Sequence, residues 1–479
     1  MTVDFVPPYP YRFPRPPPAW QRLWIGRKNF VAMWEASAFE LEFSSSRILN
    51  RETFLCNSPD SVKFAFNLHN ASFERKAPQM RHALAPLIGD GLFISDGPLW
   101  KARRKMVAPI IHTTRLSQFA PVMVETIVET RNRWASLASP RIDALSEMAN
   151  LTAEIIARTI FGRELGRVYT EEVVNGFSDY QKTIGQLDLI SLLGLPEWLP
   201  RFHAPAVHRA QRRIHTVLDG IVQNIKARRA TGETSLIAQL LDAKDAETGE
   251  ALSDEAIRNE AAVLFMAGHE TTANTLAWAW YLLSQAPDVE ARLHAEIDSV
   301  LGGQRPGLAD VARLPFTQAV IEETLRLYPP VPILPREALQ EETYNGRRIP
   351  KGSLIFVVPW LLHRHKKLWD KPDHFIPDRF MPDRAGAISK FAYIPFSIGP
   401  RVCAGMSFGL TEAILSLATL AQQFRLRMPM GSKVDPVCRL TLRPDGGLPM
   451  TLEPRIAAAP LSAGAGTQVE AACPYHQAK

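Results

Sequence analysis

Cysteine is scarce in this 479-residue chain, which has only Cys56, Cys403, Cys438 and Cys473, scattered and without CxxC spacing. That scarcity excludes a disulfide framework and a cysteine-built zinc site. Long apolar runs are also missing. The longest, Leu354 to Leu362, contains Pro359 and falls far short of the ~18 residues a membrane-crossing helix needs. The first 18 residues hold neither a basic-then-apolar leader nor a transmembrane anchor. No block of consecutive basic residues marks a nucleic-acid-binding tail. Together these absences predict a soluble, cytoplasmic protein with no nucleic acid among its partners.

Hydrophobic residues make up 46% of the chain and charged residues 22%, the balance of a globular protein. Lys+Arg 55 minus Asp+Glu 49 leaves a charge of +6, which suits an acidic partner or a membrane surface. Seven prolines fall within the first 18 residues, so the start of the chain is expected to be extended, either docked or mobile. Apolar residues recur at spacings of three and four up to about Gln340. The longest helical pattern opens at Ser253-Asp254-Glu255, where a capping residue and two acids suit a helix start, and runs to Gln285 before Pro287. At 1.5 Å per residue it would span roughly 50 Å, enough to cross a whole domain. Further helices are expected over 288–301, 316–327 and 406–424. Asn345-Gly346 predicts a hairpin turn between short strands. The apolar segment 190–199 suits buried packing, an access lid or a membrane contact, and residues 456–479 read as a flexible Ala/Gly-rich tail.

The most informative stretch is Phe396-Ser-Ile-Gly399-Pro-Arg401-Val-Cys403-Ala-Gly405. Its glycines allow a tight bend and a close approach to a flat ligand. Cys403 lies just before an apolar helix, whose dipole would favour a thiolate, and Arg401 could bind an anionic group of the same ligand. Inside the long helix lies Ala267-Gly268-His269-Glu270-Thr271-Thr272. A glycine and several polar residues in a helix interior are costly, which predicts a local distortion serving function. His269 is assigned a structural place. Trp100 and Arg104, four apart on one helix face, are donors suited to a carboxylate, whereas Lys101, Arg103 and Lys105 read as a solvated basic face. Glu323 and Arg326 form an i,i+3 acid–base pair.

Phe396, Gly399, Arg401, Cys403 and Gly405 resemble the haem-binding signature of the cytochrome P450 family, and the other segments follow in that family's order across about residues 35–455. The resemblance implies a mainly α fold with a smaller β-rich lobe, holding haem b between the long distal helix and the helix after the cysteine. It implies one catalytic domain over 35–455, flanked by the Pro-rich segment 1–34 and the tail 456–479. Cys403 would be the axial iron ligand, and Phe396, Gly399 and Gly405 would surround the cofactor. Trp100, Arg104, Arg336 and Arg401 would bind its propionates. Thr271 and Glu270 would relay protons to bound oxygen, and Glu323, Arg326 and Arg379 would form a structural network. The substrate would meet Leu92, Phe93, Val263, Phe265, Met266, Ala267, Val331 and Ile333. The implied activity is insertion of one atom of O2, the co-substrate, into a lipophilic molecule such as a terpenoid, fatty acid or aromatic. No fused flavin or iron–sulfur domain is expected. Two electrons would come from a separate ferredoxin or flavodoxin with its reductase, docking on a basic face that includes Lys101, Arg103 and Lys105. Asp378 stands where the family more often has glutamate. A haem-thiolate peroxygenase or isomerase and a haem sensor remain as alternatives, though neither needs the Glu270–Thr271 pair.

Overall fold

The computed structural model describes residues 5–48, 50–183, 203–228, 235–245 and 247–455. The segment 190–199 and the tail from residue 456, with Cys473, lie outside them. Ten helices organise the site: α1 (Pro78–Ile88), α2 (Gly97–Val107), α3 (Leu116–Ala135), α4 (Ala144–Phe161), α5 (Arg163–Thr183), α6 (Pro205–Ala227), α7 (Asp254–Gln285), α8 (Pro287–Leu301), α9 (Pro315–Leu327) and α10 (Met406–Ala421).

The axis of the molecule is α7. Ser253 Oγ accepts a hydrogen bond from Ala256 N–H at 3.2 Å, and Asp254 and Glu255 occupy the first turn, so start and dipole are both satisfied. From Thr272 to Leu283 every residue is buried, which only a helix packed on all sides can sustain. It packs against α4, α9 and α10. The helix runs without a break through Gly268. A Cβ on Gly268 would lie 2.9 Å from Ile156 Cδ1, so the glycine serves the close approach of α4. Trp278 stacks on Tyr328 with ring centroids 3.8 Å apart, tying α7 to the end of α9.

The β lobe is built on five strands, β1 (Phe43–Ile48), β2 (Arg51–Cys56), β3 (Arg75–Lys76), β4 (Leu334–Glu337) and β5 (Leu354–Val357), ordered β1-β2-β5-β4-β3. Its register sets Lys76 directly opposite Arg336. The Asn345-Gly346 turn forms as expected, pairing Tyr344 with Arg347, with positive φ at both turn residues. The Pro-rich start is docked rather than loose. Arg12 makes a bidentate pair with Asp373 at 2.9 and 2.5 Å, and Tyr328 donates its hydroxyl to Pro8 O at 2.7 Å. Among the described residues no helix is long and apolar enough to cross a membrane.

Candidate active site

Cys403 lies in a loop folded back on itself, its N–H donating to Phe396 O at 2.9 Å, and Gly405 caps α10 just beyond. The thiol opens into a cavity walled by α7, α10, the loop before α2 and the residues around β4. The Cys403 side chain is exposed to this cavity rather than packed in the core, yet desolvation by the surrounding protein raises the thiol pKa, against the opposing effects of Gly405 N–H, Arg104 and Lys76. Coordination to a metal ion would supply the drive to deprotonate it. Gly399 is placed differently from expectation. Its φ is +74° and a Cβ there would lie 2.0 Å from Phe66 O, so it admits a neighbouring protein backbone rather than a ligand.

Three cations, Lys76, Arg104 and Arg401, line the same cavity, and a fourth, Arg336, is buried behind them without lining it. Trp100 and Arg104 reach it from α2, with the Arg401 guanidinium 4.3 Å over the Trp100 ring. Arg401 Nη2 donates to Ser95 O at 2.8 Å. Lys76 and Arg336 meet side by side through the β3–β4 register, and both are buried. Burial, with Arg336 and Arg401 nearby, pushes the Lys76 pKa well below its ordinary value. Burial brings Arg336 down to about 9 and Arg401 to about 10. Among the described residues none of Lys76, Arg104, Arg336 and Arg401 has a carboxylate within ion-pair distance, although Glu74 and Asp96 act on Arg401 from farther off. Like charges opposite one another in a sheet are destabilising. Such a cluster beside an inward-facing thiol fits a flat dianion that also carries a metal. Haem, with two propionates and one iron, has that chemistry. Lys76 carries no sequence signal; only the sheet register reveals it.

Opposite Cys403, Thr271 lines the cavity and donates to Ala267 O at 2.7 Å. Glu270 lines it too, and its Oε1 accepts from Thr441 Oγ1 at 2.6 Å. Thr441, which itself accepts from Asn274 Nδ2 at 3.2 Å, sits in the turn between β6 (Pro436–Cys438) and β7 (Leu442–Pro444). Nothing in the sequence singles it out. His269 packs on Phe265, its pKa lowered to about 4 by burial, and it does not line the cavity.

Beneath the cysteine loop Glu323 and Arg326 are fully buried and doubly bonded, at 2.6 and 2.8 Å. Arg326 also donates to His363 O, Pro372 O and His374 O, Glu323 accepts from Ile376 N–H, and Arg379 Nε stands 3.5 Å from Glu323. Asp378 instead pairs with Arg292 at 2.7 Å.

Leu92, Phe93, Val263, Met266, Ala267, Val331 and Ile333 all line the cavity. Phe265 does not: it stacks between Phe161 and Phe177 in the core, because it projects from the α7 face turned towards α4 and α5. Arg103, expected on a solvated face, is buried and pairs with Asp90 at 3.1 Å, since its turn of α2 faces α7. Lys105 is exposed and pairs with Glu247.

Comparison with known proteins agrees with this geometry. The cytochrome P450 family model matches residues 8–449. Cyclooctatin synthase of Streptomyces melanosporofaciens is 35% identical over 420 residues, covering 85% of this chain and 88% of that protein. The cyclooctat-9-en-7-ol 5-monooxygenase of the same organism is 33% identical over 77% of this chain and 79% of its own. The crystal structure of the cytochrome P450DA haem domain superposes with a TM-score of 0.80 at 25% identity, covering 96% of this chain and all of that one. With a buried cationic cradle around an inward-facing thiol and a family match over nearly its whole length, this chain belongs to the cytochrome P450 family.

Proposed function

We propose that this haem-thiolate monooxygenase hydroxylates a lipophilic, terpenoid-like substrate, drawing electrons from a separate ferredoxin or flavodoxin served by its own reductase. The apolar cavity wall carries the substrate reading: Leu92, Phe93, Val263, Met266, Val331 and Ile333 offer contact area but no fixed charge to a ligand. The relative named for 5-monooxygenation of cyclooctat-9-en-7-ol, by its name an unsaturated alcohol, favours this class over fatty acids or simple aromatics.

In this reading Cys403 Sγ would ligate the haem iron, and Lys76, Trp100, Arg104, Arg336 and Arg401 would hold the propionates. Haem bound there would supply the activation of oxygen. The protein's own part is to exclude water, orient the substrate and deliver protons. Overall, substrate, O2, two electrons and two protons give the hydroxylated product and one water. Glu270 collects a proton at the cavity edge, held in place by Thr441, and Thr271 passes it inward. The Thr271 hydroxyl, donating to Ala267 O, keeps its lone pairs towards the cavity and can accept a proton as it gives one up.

The test is spectral. The reduced, carbon monoxide-treated holoprotein should show the strongly red-shifted Soret band of thiolate ligation. Terpenoid alcohols and hydrocarbons should then shift the ferric spectrum by displacing water from the cavity. A protein that gives the Soret band but responds to fatty acids and not to terpenoids would overturn the substrate class alone.

A further inference from the structure

One wall of the cavity is held from outside the haem site. Residues 89–96 form the loop between α1 and α2, and its Leu92 and Phe93 line the cavity. The N–H of Leu92 is directed at both carboxylate oxygens of Glu260, at 3.0 and 3.2 Å. Glu260 is wholly buried on α7, one turn before Val263, which lines the same cavity. Arg103, 6% exposed, stands 3.9 Å from Glu260 Oε1 and pairs with Asp90 at the loop's start. Asn259 Nδ2 donates to the other oxygen of Asp90 at 3.2 Å. The backbones meet without slack. A Cβ on Gly91 would lie 2.7 Å from Val263 Cγ2, and one on Gly89, where φ is +51°, would lie 2.2 Å from Asn259 Nδ2. At its far end the loop is fixed by Arg401 on Ser95 O and by Glu74 on Gly97 N–H.

A buried carboxylate is costly unless well compensated, and one N–H and a guanidinium at 3.9 Å compensate this one poorly. Burial accordingly pushes its pKa up to about 7. An apolar side chain would pack this turn of α7 against the loop at lower cost. Glu260 also lies ten residues before Glu270, about 15 Å along the helix, so it has no part in proton delivery to the cavity centre. What it does is fix one peptide of the loop that carries two pocket residues.

We propose that Glu260 is a positioning residue for substrate selection: by holding the Leu92 peptide and Arg103 against α7, it sets how far Leu92 and Phe93 reach over the cavity. The inference rests on the cavity being the substrate site. Glu260→Leu removes the acceptor at similar volume; Glu260→Gln keeps an acceptor oxygen but loses the charge facing Arg103.

The test uses ferric holoprotein titrated with three iron-binding probes of increasing bulk, imidazole, 1-phenylimidazole and clotrimazole, with hydrogen exchange followed at residues 91–93. In Glu260→Leu, imidazole should bind as in wild type, while the ratio of 1-phenylimidazole to clotrimazole affinity shifts towards the bulkier probe. The expected shift is roughly tenfold, the worth of one hydrogen bond to a charged group. Glu260→Gln should show a smaller shift in the same direction, with faster exchange at 91–93 in both. Unchanged ratios in both variants, with haem content and the Soret band intact, would overturn the role of Glu260. A wild-type holoprotein that gives no spectral shift with any probe would instead overturn the reading of the cavity.

Discussion

Glu270 owes its position to a residue 171 places away. Thr441 donates to it and accepts from Asn274, so the carboxylate is anchored to the β6–β7 turn as well as to its own helix. Thr441→Val should leave haem binding intact and raise the hydrogen peroxide released per electron consumed, with Thr441→Ser restoring coupling; equal peroxide yields in all three proteins would place the anchor elsewhere. Thr271→Ala should uncouple more strongly, because it removes the cavity-lining hydroxyl that passes the proton inward. The cation cradle makes a different kind of prediction. Lys76 and Arg336 repel each other until an anion joins them. Lys76→Met should therefore raise the thermal midpoint of the haem-free protein and speed haem loss from the holoprotein, measured by transfer to apomyoglobin. Glu270, Thr271 and Cys403 were legible in the sequence because each sits in a contiguous motif. Lys76 and Thr441 were not, since their partners lie far away along the chain.

At the scale of elements, the contact between α7 and the loop over it contains one group with a shifted pKa, Glu260. The Glu260 carboxyl has an ordinary value of 4.5 and rises to about 7 in the fold, with Arg103 and Asp90 the charged groups facing it. Between those values the unfolded chain has released a proton that the folded protein retains. Its contribution to stability is therefore fully present below pH 4.5 and lost as pH rises through 7. Denaturant midpoints measured across this window should fall more steeply in wild type than in Glu260→Gln; parallel curves would show that the carboxyl does not titrate there. Beneath the haem loop, Arg326→Met would leave the buried Glu323 with only Arg379 at 3.5 Å and the Ile376 N–H, and should lower the denaturation midpoint, by up to about 3–5 kcal/mol of stability. The helix 254–285 was readable from its cap, its acidic first turn and its terminal proline. The reason for Gly268 was not, because Ile156 belongs to another helix.

At the scale of the whole molecule, the net charge of +6 suits the docking of an acidic electron donor, and the sequence places that face at Lys101, Arg103 and Lys105. Burial removes Arg103 from that face, and Lys105 is occupied by Glu247. Lys101→Glu should still slow reduction by an acidic ferredoxin at low salt, where the Debye length is long. Rates unchanged at low salt would move the donor site elsewhere. The N-terminal segment, docked through Arg12 and Pro8 onto the region that supports Arg326, contributes to the same scaffold, so deleting residues 1–18 should lower the thermal midpoint.

The sequence by itself determined the chemistry. Cysteine, arginine, glutamate and threonine motifs are short, and local spacing along a helix or loop suffices to align their groups. Tertiary structure alone decided which cations gather without a counter-ion, which arginine of α2 turns inward, and what holds the wall of the pocket. Those outcomes depend on strand register and on helix faces meeting across hundreds of residues, and on the cost of burying charge, which no local pattern records.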